Sequence, residues 1–221
     1  MNKIVIATNN VGKLNEIAAI LAPLDIEIVP QSALGVGEAE EPHFTFVENA
    51  LAKARHASRH TGLPALADDS GICVEALNGE PGVHSARYAA PPANGGRAAQ
   101  DESNNRKLLA ALEHHTNRNA HYYCVLVLTR HADDPQPIIC EAQWHGVIVK
   151  TPRGSGGFGY DPLFEIPGLR KTGAELRPEE KNRISHRALA LAALADRLRA
   201  GYGMRDAGAR SPRSRFRNPE S

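Results

Sequence analysis

Two hydrophobic periods alternate along the chain, and this alternation constrains the fold more than any other feature of the sequence. Short apolar runs with β-branched residues, typical of buried strands, occur at Lys3–Thr8 and Ile26–Val29. Stripes of apolar side chains at helical spacing follow them at Leu14–Leu21 and Phe46–His60. Two longer strand candidates then adjoin each other in the chain, Tyr122–Leu128 and Ile138–Val149. Strands that alternate with helices, followed by two adjacent long strands, predict an α/β protein with a mixed sheet.

The remaining organisation is read from composition and turn residues. The segment Ala89–Asp101 is rich in Ala, Pro and Gly and predicts a mobile loop, and Asn104–His114 predicts a helix after it. A last helix is expected to end near Arg199. Residues 1–200 are therefore expected to form one folded domain. The segment 201–221 holds five arginines without any hydrophobic period, so it is expected to be a disordered, solvated tail.

Size and charge exclude several classes of protein. The chain has 221 residues, a length that suits one large domain or two small lobes on a common core. No run approaches the roughly 18 apolar residues needed to span a bilayer, and the N-terminal apolar run is too short for a signal peptide. We therefore expect a cytoplasmic protein with no membrane partner. The formal net charge of +1 gives no whole-protein attraction to nucleic acid, so an anion site must be built locally.

The cysteines predict neither disulfides nor a zinc site. Cys73, Cys124 and Cys140 are odd in number, widely spaced and without a CxxC pair. Each lies in an apolar stretch, where a free cysteine usually serves as a small core residue.

A turn between the first strand and the first helix is the first candidate site. It comprises Thr8-Asn9-Asn10-Val11-Gly12-Lys13. Backbone N–H groups at the start of a helix bind anions, and Lys13 adds a positive charge there. The segment is not a GxxxxGK[ST] loop, and an ordinary strand–helix turn remains the alternative interpretation.

A pair of adjacent carboxylates is the second candidate. Asp68-Asp69-Ser70-Gly71 directly follows an apolar run and is interpreted as a glycine turn at the end of a buried segment. Two charges in such a place are costly unless a cation or hydrogen-bond donors compensate them. Mg²⁺ favours carboxylate and phosphate oxygens, so the pair predicts a metal–nucleotide site, with a polar turn as the alternative. Further carboxylates that could complete the shell are Glu38, Glu40, Glu41 and Glu48.

Two later segments complete the set of candidates. Gly154–Pro162 is dense in glycine, which lets a backbone approach a ligand closely, and its Phe158 and Tyr160 offer flat faces for a base. Ser185 is expected to cap a helix that begins at His186, which places His186 and Arg187 at a helix N-terminus. A flexible hairpin loop and a charged helix face are the respective alternatives.

In their order along the chain and in their residues, these segments resemble the motifs of the inosine triphosphate pyrophosphatase family, the Ham1-like enzymes that remove non-standard purine nucleotides. The resemblance extends over roughly residues 3–200. The matching segments are Ile6–Lys13, Thr45–Ala50, Ala67–Gly71, Pro81–Tyr88, Gly157–Pro162 and Glu180–Arg187.

The resemblance implies a two-lobed α/β fold with a long central mixed sheet flanked by helices, a cleft between the lobes, and a homodimer. It implies Mg²⁺-dependent hydrolysis of ITP, dITP and XTP to the monophosphate and pyrophosphate, which cleanses the nucleotide pool. Asp69 would be the general base and a metal ligand, with Glu41 as second metal ligand and Ser70 at the substrate. The residues implied to hold the triphosphate are Thr8, Asn9, Asn10, Val11, Gly12, Lys13 and Lys181. Those implied to surround the nucleoside are Phe158, Gly159, Tyr160, Asp161, His186 and Arg187.

The preference of the site among purine bases is expected to depend on hydrogen-bond donors of the protein. Hypoxanthine and xanthine carry an acceptor oxygen at C6, where adenine carries a donor. Arg187 has only N–H donors and His186 can donate, so both are expected to favour the first two bases.

The residues leave open whether Asp68 or Asp69 takes the proton from water; the resemblance implies Asp69.

The sequence departs from the family pattern in three places. Asn9 stands where the family usually has glycine, the loop around Ala93–Asp101 looks longer than typical, and the tail after Gly201 has no counterpart.

Two other functions are consistent with the residues. One is a Maf-like pyrophosphatase for modified pyrimidine triphosphates, and the other is a non-catalytic nucleotide- or RNA-binding module. The acidic pair argues against the module, because carboxylates without metal repel phosphate.

Overall fold

The structure, a computed structural model, describes residues 3–201 apart from positions 25, 93 and 94. Seven strands lie in this part of the chain: β1 (Lys3–Ile6), β2 (Glu27–Pro30), β3 (Ala65–Val74), β4 (Asn119–Thr129), β5 (Ile138–Ile148), β6 (Phe164–Ile166) and β7 (Lys171–Thr172). Five α-helices accompany them: α1 (Val11–Leu21), α2 (Phe46–Thr61), α3 (Arg97–Ala111), α4 (Pro178–Ile184) and α5 (His186–Arg199).

The strands form one mixed sheet in the order β2-β1-β3-β4-β5-β6-β7. Strands β2, β1 and β3 pair in parallel, as expected of strands joined through helices. The pairs from β3 to β7 are antiparallel. The predicted α/β fold with a mixed sheet is confirmed.

Two lobes share the long strands β3, β4 and β5. In the first lobe, α1 and α5 pack on one face of the sheet around Ile6, Leu66 and Leu126. Helix α2 packs on the opposite face around Val5 and Val125, because successive strand residues point to opposite faces. The second lobe has its own core at the far end of the strands, built from Ile72, Leu108, Tyr122, Trp144 and Phe164. The long strands thus run from one lobe into the other.

The prediction that Asp68-Asp69-Ser70-Gly71 forms a turn was wrong. These residues lie inside β3, and Asp68 to Gly71 pair in register with Leu126 to Tyr123 of β4. Gly71 is required by a close approach and not by a turn, because an added Cβ would lie 2.3 Å from the Gly82 backbone oxygen. Placing the acidic pair in mid-strand points its two side chains to opposite faces of the sheet.

The third helix begins earlier than predicted. Helix α3 starts at Arg97, inside the segment predicted as a loop. Only its second half carries buried residues, Asn104 and Leu108, so the hydrophobic pattern showed only that half.

No helix in the described ranges has the length and apolarity needed to cross a membrane. Cys73, Cys124 and Cys140 all carry free thiols. Of the predicted tail, residues 201–221, all but Gly201 lies outside the described residues.

Candidate active site

A cleft of about 620 Å³ opens along β3 where the two lobes meet. The residues of the predicted site that line it are Thr8, Asn10, Lys13, Glu41, Ser70, Phe158, Gly159, Tyr160, Asp161, Lys181, His186 and Arg187. They come from the turn before α1, the loop before α2, strand β3, the glycine-rich loop and the junction of α4 with α5. The fold therefore brings together segments that lie far apart in the sequence.

Asp68 is a fully buried anion at the centre of this constellation. Arg187 Nε donates to its Oδ2 over 2.8 Å, and Ser70 Oγ donates to its Oδ1 over 2.9 Å. The Lys13 ammonium and the Cys124 thiol complete the contacts. Burial alone would raise the pKa of Asp68, but the charges of Arg187 and Lys13 hold it well below its usual value. Asp68 therefore orients two cations and has no free oxygen for a proton.

Asp69 points to the opposite face of the sheet and has different partners. Lys53 Nζ donates to its Oδ1 over 2.8 Å, while its buried Oδ2 has no hydrogen-bond partner. Burial raises the pKa of Asp69, and the charge of Lys53 offsets only part of this effect. Of the two carboxylates, Asp69 is the one with an oxygen available for a ligand or a proton.

Lys53 joins Asp69 to Glu41. Its Nζ donates to Glu41 Oε1 over 2.6 Å, so one ammonium lies between two carboxylates. Burial alone would lower the pKa of Lys53, but Asp69 and Glu41 raise it above its usual value. Burial alone would likewise raise the pKa of Glu41, yet Lys53 and Arg87 lower it. Arg87 holds the Glu41 carboxylate at 2.9 Å and also donates to the Glu41 carbonyl.

This pair of carboxylates fits a magnesium ion. Asp69 Oδ2 is a buried oxygen that still lacks a partner, and Glu41 stands across the same ammonium. Within residues 3–24, 26–92 and 95–201, no three His, Cys, Asp or Glu side chains are grouped as a metal site. The protein would thus supply two carboxylate ligands, and Mg²⁺ commonly completes its shell with waters and substrate phosphates.

The turn before α1 is built as the start of a helix. Asn10 is the N-cap, and its side chain accepts from Lys13 N over 3.2 Å. Thr8, Asn10 and Lys13 line the cleft, whereas Val11 is 67% exposed. Asn9 is also exposed, and its φ is not positive, so asparagine fits here without glycine's freedom. Gly12 is needed for space, because an added Cβ would lie 2.7 Å from the Phe158 ring.

The glycine-rich loop carries Phe158 into the cleft. Gly157 and Gly159, on either side of it, have φ of 70° and 65°. Asp161 is buried below the loop and accepts from Phe158 N over 2.9 Å and from Lys181 Nζ over 2.6 Å. The Lys181 ammonium lies 4.7 Å from the centre of the Phe158 ring. The loop thus places an aromatic ring beside a buried cation.

Arg187 and His186 stand at the start of α5, as expected, with Ser185 as the N-cap. Arg187 is fully buried, and besides Asp68 it donates to Glu16 and Ser70. Three of its N–H groups are therefore committed to the protein, and its predicted role in reading the base stays a prediction. His186 stacks on Tyr122 at 4.7 Å between ring centres. Burial, with the positive charge of Arg187, holds the pKa of His186 well below its usual value, so the imidazole is neutral.

The sequence interpretation missed several site residues. Lys53 is a polar residue of α2, and nothing in the neighbouring sequence marks it as the partner of two carboxylates. Glu16, which accepts a hydrogen bond from Arg187 and forms an ion pair with Lys181, also lies within a helix, α1. Arg87 was part of a matched segment but received no role. The fold brings these charges to the site, because α2 packs on β3, α1 packs on α5, and the Gly82–Arg87 segment contacts β3.

Comparison with known proteins agrees with this geometry. The sequence model of the Ham1 family matches residues 4–197. A protein of Nitrosomonas europaea named dITP/XTP pyrophosphatase is 66% identical over 198 residues, which are 90% of this chain and 95% of that protein. A protein of Ralstonia nicotianae with the same name is 62% identical over 199 residues, or 90% of this chain and 98% of its own length.

Solved structures agree as well. A HAM1 protein from Coxiella burnetii has a TM-score of 0.83 and 47% identity, and the match covers 90% of this chain and 100% of that one. The Staphylococcus aureus Ham1 protein has a TM-score of 0.78 and 38% identity, with 90% of this chain and 99% of that one covered. A family match over nearly all the described residues, with relatives that share more than half of the sequence, shows that this chain belongs to the Ham1 family.

Proposed function

We propose that this protein hydrolyses non-standard purine nucleoside triphosphates, such as ITP, dITP and XTP, to the monophosphate and pyrophosphate. The names of its relatives support this substrate class. The observation that carries the proposal is the buried Asp69, whose Oδ2 lacks a partner and which is paired with Lys53, one of three lysines that line the cleft together with Lys13 and Lys181. Three ammonium groups in a cleft, with an unpartnered carboxylate oxygen next to it, suit an anionic substrate attacked by water.

The chain's cations would hold the triphosphate. Lys13 lies at the start of α1, where the N–H groups of Val11 and Gly12 have no protein acceptor among the described residues. Lys181 approaches from the side of α4. Point charges and free N–H groups of this kind bind phosphate oxygens and stabilise the charge of a leaving pyrophosphate.

Asp69 is the proposed general base. Its raised pKa and its unpartnered Oδ2 suit proton abstraction from water, whereas every contact of Asp68 favours a permanent anion. Asp69 and Glu41 are the proposed ligands of Mg²⁺. When bound, the ion would neutralise phosphate charge and lower the pKa of a coordinated water.

The bond broken is proposed to be that between the α- and β-phosphates. Water attack at the α-phosphorus puts the new oxygen in the monophosphate, while attack at the β-phosphorus puts it in the pyrophosphate and makes the monophosphate the leaving group. Turnover of ITP with Mg²⁺ in heavy-oxygen water should therefore give labelled IMP and unlabelled pyrophosphate, read by mass spectrometry. IDP and orthophosphate as the initial products would contradict the proposal, and EDTA should abolish turnover.

The nucleoside is proposed to lie against Phe158, His186 and Arg187. A neutral imidazole has one N–H donor and one acceptor nitrogen, and the Nδ1 atom of His186 is buried without a partner. Arg187 retains one N–H on each of its Nη atoms after its contacts with Glu16 and Ser70. Such donors match the C6 oxygen of hypoxanthine and xanthine.

The same nucleotide panel separates the other two functions. Preferred turnover of modified pyrimidine triphosphates would indicate Maf-like specificity, and binding without products would indicate a non-catalytic module. We also propose a homodimer, to be checked by light scattering after size exclusion, a cytoplasmic location, and a role in keeping these nucleotides out of DNA and RNA.

A further inference from the structure

Helix α3 turns a polar face toward the cleft, although it lies outside the motifs that identify the site. Arg97 and Asp101, one helical turn apart, line the cleft. Asn105 follows on the same face, because residues four apart are neighbours on a helix. The side chain of Asp101 is only 13% exposed, so its carboxylate is held within the fold.

This face of α3 binds a single residue of the glycine-rich loop, Gly159. Gly159 N donates to Asp101 Oδ2 over 2.8 Å, and Asn105 Nδ2 donates to Gly159 O over 3.0 Å. Arg97 Nε donates to the other oxygen of Asp101 over 3.1 Å and keeps the carboxylate in place. Both polar groups of Gly159 are thus bound by one helix.

The helix itself is anchored to the other wall of the cleft. Asn104 is buried, and its Nδ2 donates to the carbonyls of Ser85 and Ala86 at 3.3 and 3.2 Å. Its Oδ1 accepts from Ala89 N over 2.8 Å. Because Asn104 is fixed in this way, Asp101 and Asn105 have a fixed position from which to hold the loop.

The contacts from α3 are needed to fix the glycine-rich loop, because the loop has little stiffness of its own. Phe158 lies between Gly157 and Gly159, both with positive φ, and glycine restrains the backbone least of all residues. Asp161 fixes the N–H of Phe158 from below, and α3 fixes the next peptide from the side. Without the second contact, the Phe158 ring would be free to move away from Gly12 and Lys181.

We propose that Asp101, assisted by Asn105, is a positioning residue that holds Phe158 as the wall of the nucleoside site. It acts through Gly159 and not on the substrate, so its contribution concerns binding of the base and leaves the phosphate subsite unchanged. The proposal rests on the proposed function, because it takes the ligand to be a purine nucleotide.

The two reaction products separate these subsites, since IMP carries the base and pyrophosphate does not. Asp101→Ala should raise the inhibition constant of IMP and the KM for ITP about tenfold, the effect of one lost buried hydrogen bond. The inhibition constant of pyrophosphate should stay within about twofold, and kcat should change little.

Three further variants make the result specific. Asp101→Asn should restore IMP binding, because an amide oxygen also accepts from Gly159 N, and it separates loss of the acceptor from loss of the charge. Asn105→Ala should weaken IMP binding in the same direction. Glu102→Ala, at an exposed neighbour on the same helix, is the matched control and should behave as wild type.

Equal losses of IMP and pyrophosphate binding in Asp101→Ala would overturn the inference, and so would unchanged IMP binding in a variant with wild-type melting temperature. If Asp101→Ala does not fold, Asn105→Ala carries the same test. Failure of wild-type protein to hydrolyse ITP would instead contradict the proposed function, so the two failures are distinguishable.

Discussion

Two adjacent aspartates of one strand have pKa values shifted in opposite directions by the faces they point to. Asp68 receives a guanidinium, an ammonium, a hydroxyl and a thiol, all of which favour its anion. Asp69 receives one ammonium that it shares with Glu41. The strand's alternation therefore assigns a structural anion to one face and an available carboxylate to the other.

This difference predicts that Asp69→Asn abolishes turnover without unfolding the protein. Loss of the base and of a metal ligand should lower kcat/KM for ITP at least about a hundredfold. Because the pKa of Asp69 is raised in the fold, its charged form does not favour folding at neutral pH, and a neutral amide should leave the melting temperature unchanged.

The exposed Asp133→Asn is the control for this substitution and should retain full activity. Turnover above about a tenth of wild type in Asp69→Asn would refute the assignment.

At the scale of elements, two glycines allow close packing against neighbours of different kinds. A Cβ at Gly12, on α1, would meet the movable ring of Phe158 at 2.7 Å. A Cβ at Gly71, on β3, would meet the backbone oxygen of Gly82 at 2.3 Å. A ring can turn aside, whereas the segment that contains Gly82 is fixed by Ser85, which bonds to Ile72 and to Gly82.

Gly12→Ala is therefore expected to fold normally and to bind nucleotide poorly. Alanine is the better helix former, so the melting temperature should hold or rise. The displaced Phe158 ring should raise the KM for ITP several-fold, as measured by steady-state kinetics. A wild-type KM would show that the ring position does not matter for binding.

Gly71→Ala is expected to destabilise the fold by about 3 kcal/mol, since overpacking against backbone forces the strand or its neighbour to shift. Urea unfolding monitored by circular dichroism measures this change. A loss below about 0.5 kcal/mol would mean that the Gly82 segment moves freely.

The alternation of periods predicted α1, α2, β4 and β5 well, because each carries its own hydrophobic pattern, whereas β3 was predicted to be interrupted at its acidic pair. The reason for Gly71 could not be read in this way, since a glycine that admits another backbone looks like a turn glycine in sequence. Lys53 was hidden for a related reason: a lysine in a helix is ordinarily solvated, and only the packing of α2 on β3 places it between two carboxylates. The order of the motifs in the sequence was enough to predict which segments form the site. Which charged side chains pair with one another inside the site could be seen only in the folded structure.

At the scale of the whole molecule, removing the tail tests the predicted extent of the catalytic domain. The composition of 202–221 cannot bury a core, so a chain that ends at Gly201 should keep its melting temperature and its kcat/KM for ITP. Both are compared with the full chain in the same buffer. A clear loss of either would mean that the tail contributes to the domain.

The dependence of stability on pH is the last property of the whole molecule that the buried charges determine. In the unfolded chain, His titrates near about 6.5 and Asp near about 3.9. In the folded protein, His186 and Asp68 both have a pKa well below these values. Over the intervening pH range each group is therefore protonated in the unfolded chain and unprotonated in the folded protein. The contribution of His186 is therefore complete above about pH 6.5 and is lost as the pH falls, and that of Asp68 is lost only in stronger acid.

We expect the free energy of unfolding, measured in urea, to fall from about pH 8 to about pH 5. The slope of this free energy against pH should include the uptake of one proton by His186 on unfolding. His186→Gln and His186→Phe should each reduce this slope, because neither side chain titrates, whatever they do to stability at any one pH. His131→Gln, at an exposed histidine, should leave the slope as in wild type. The slope is the informative quantity, since a buried replacement changes packing at every pH alike. An unchanged slope in both His186 variants would mean that the imidazole takes up its proton without unfolding, and that His186 would not remain neutral beside a bound base.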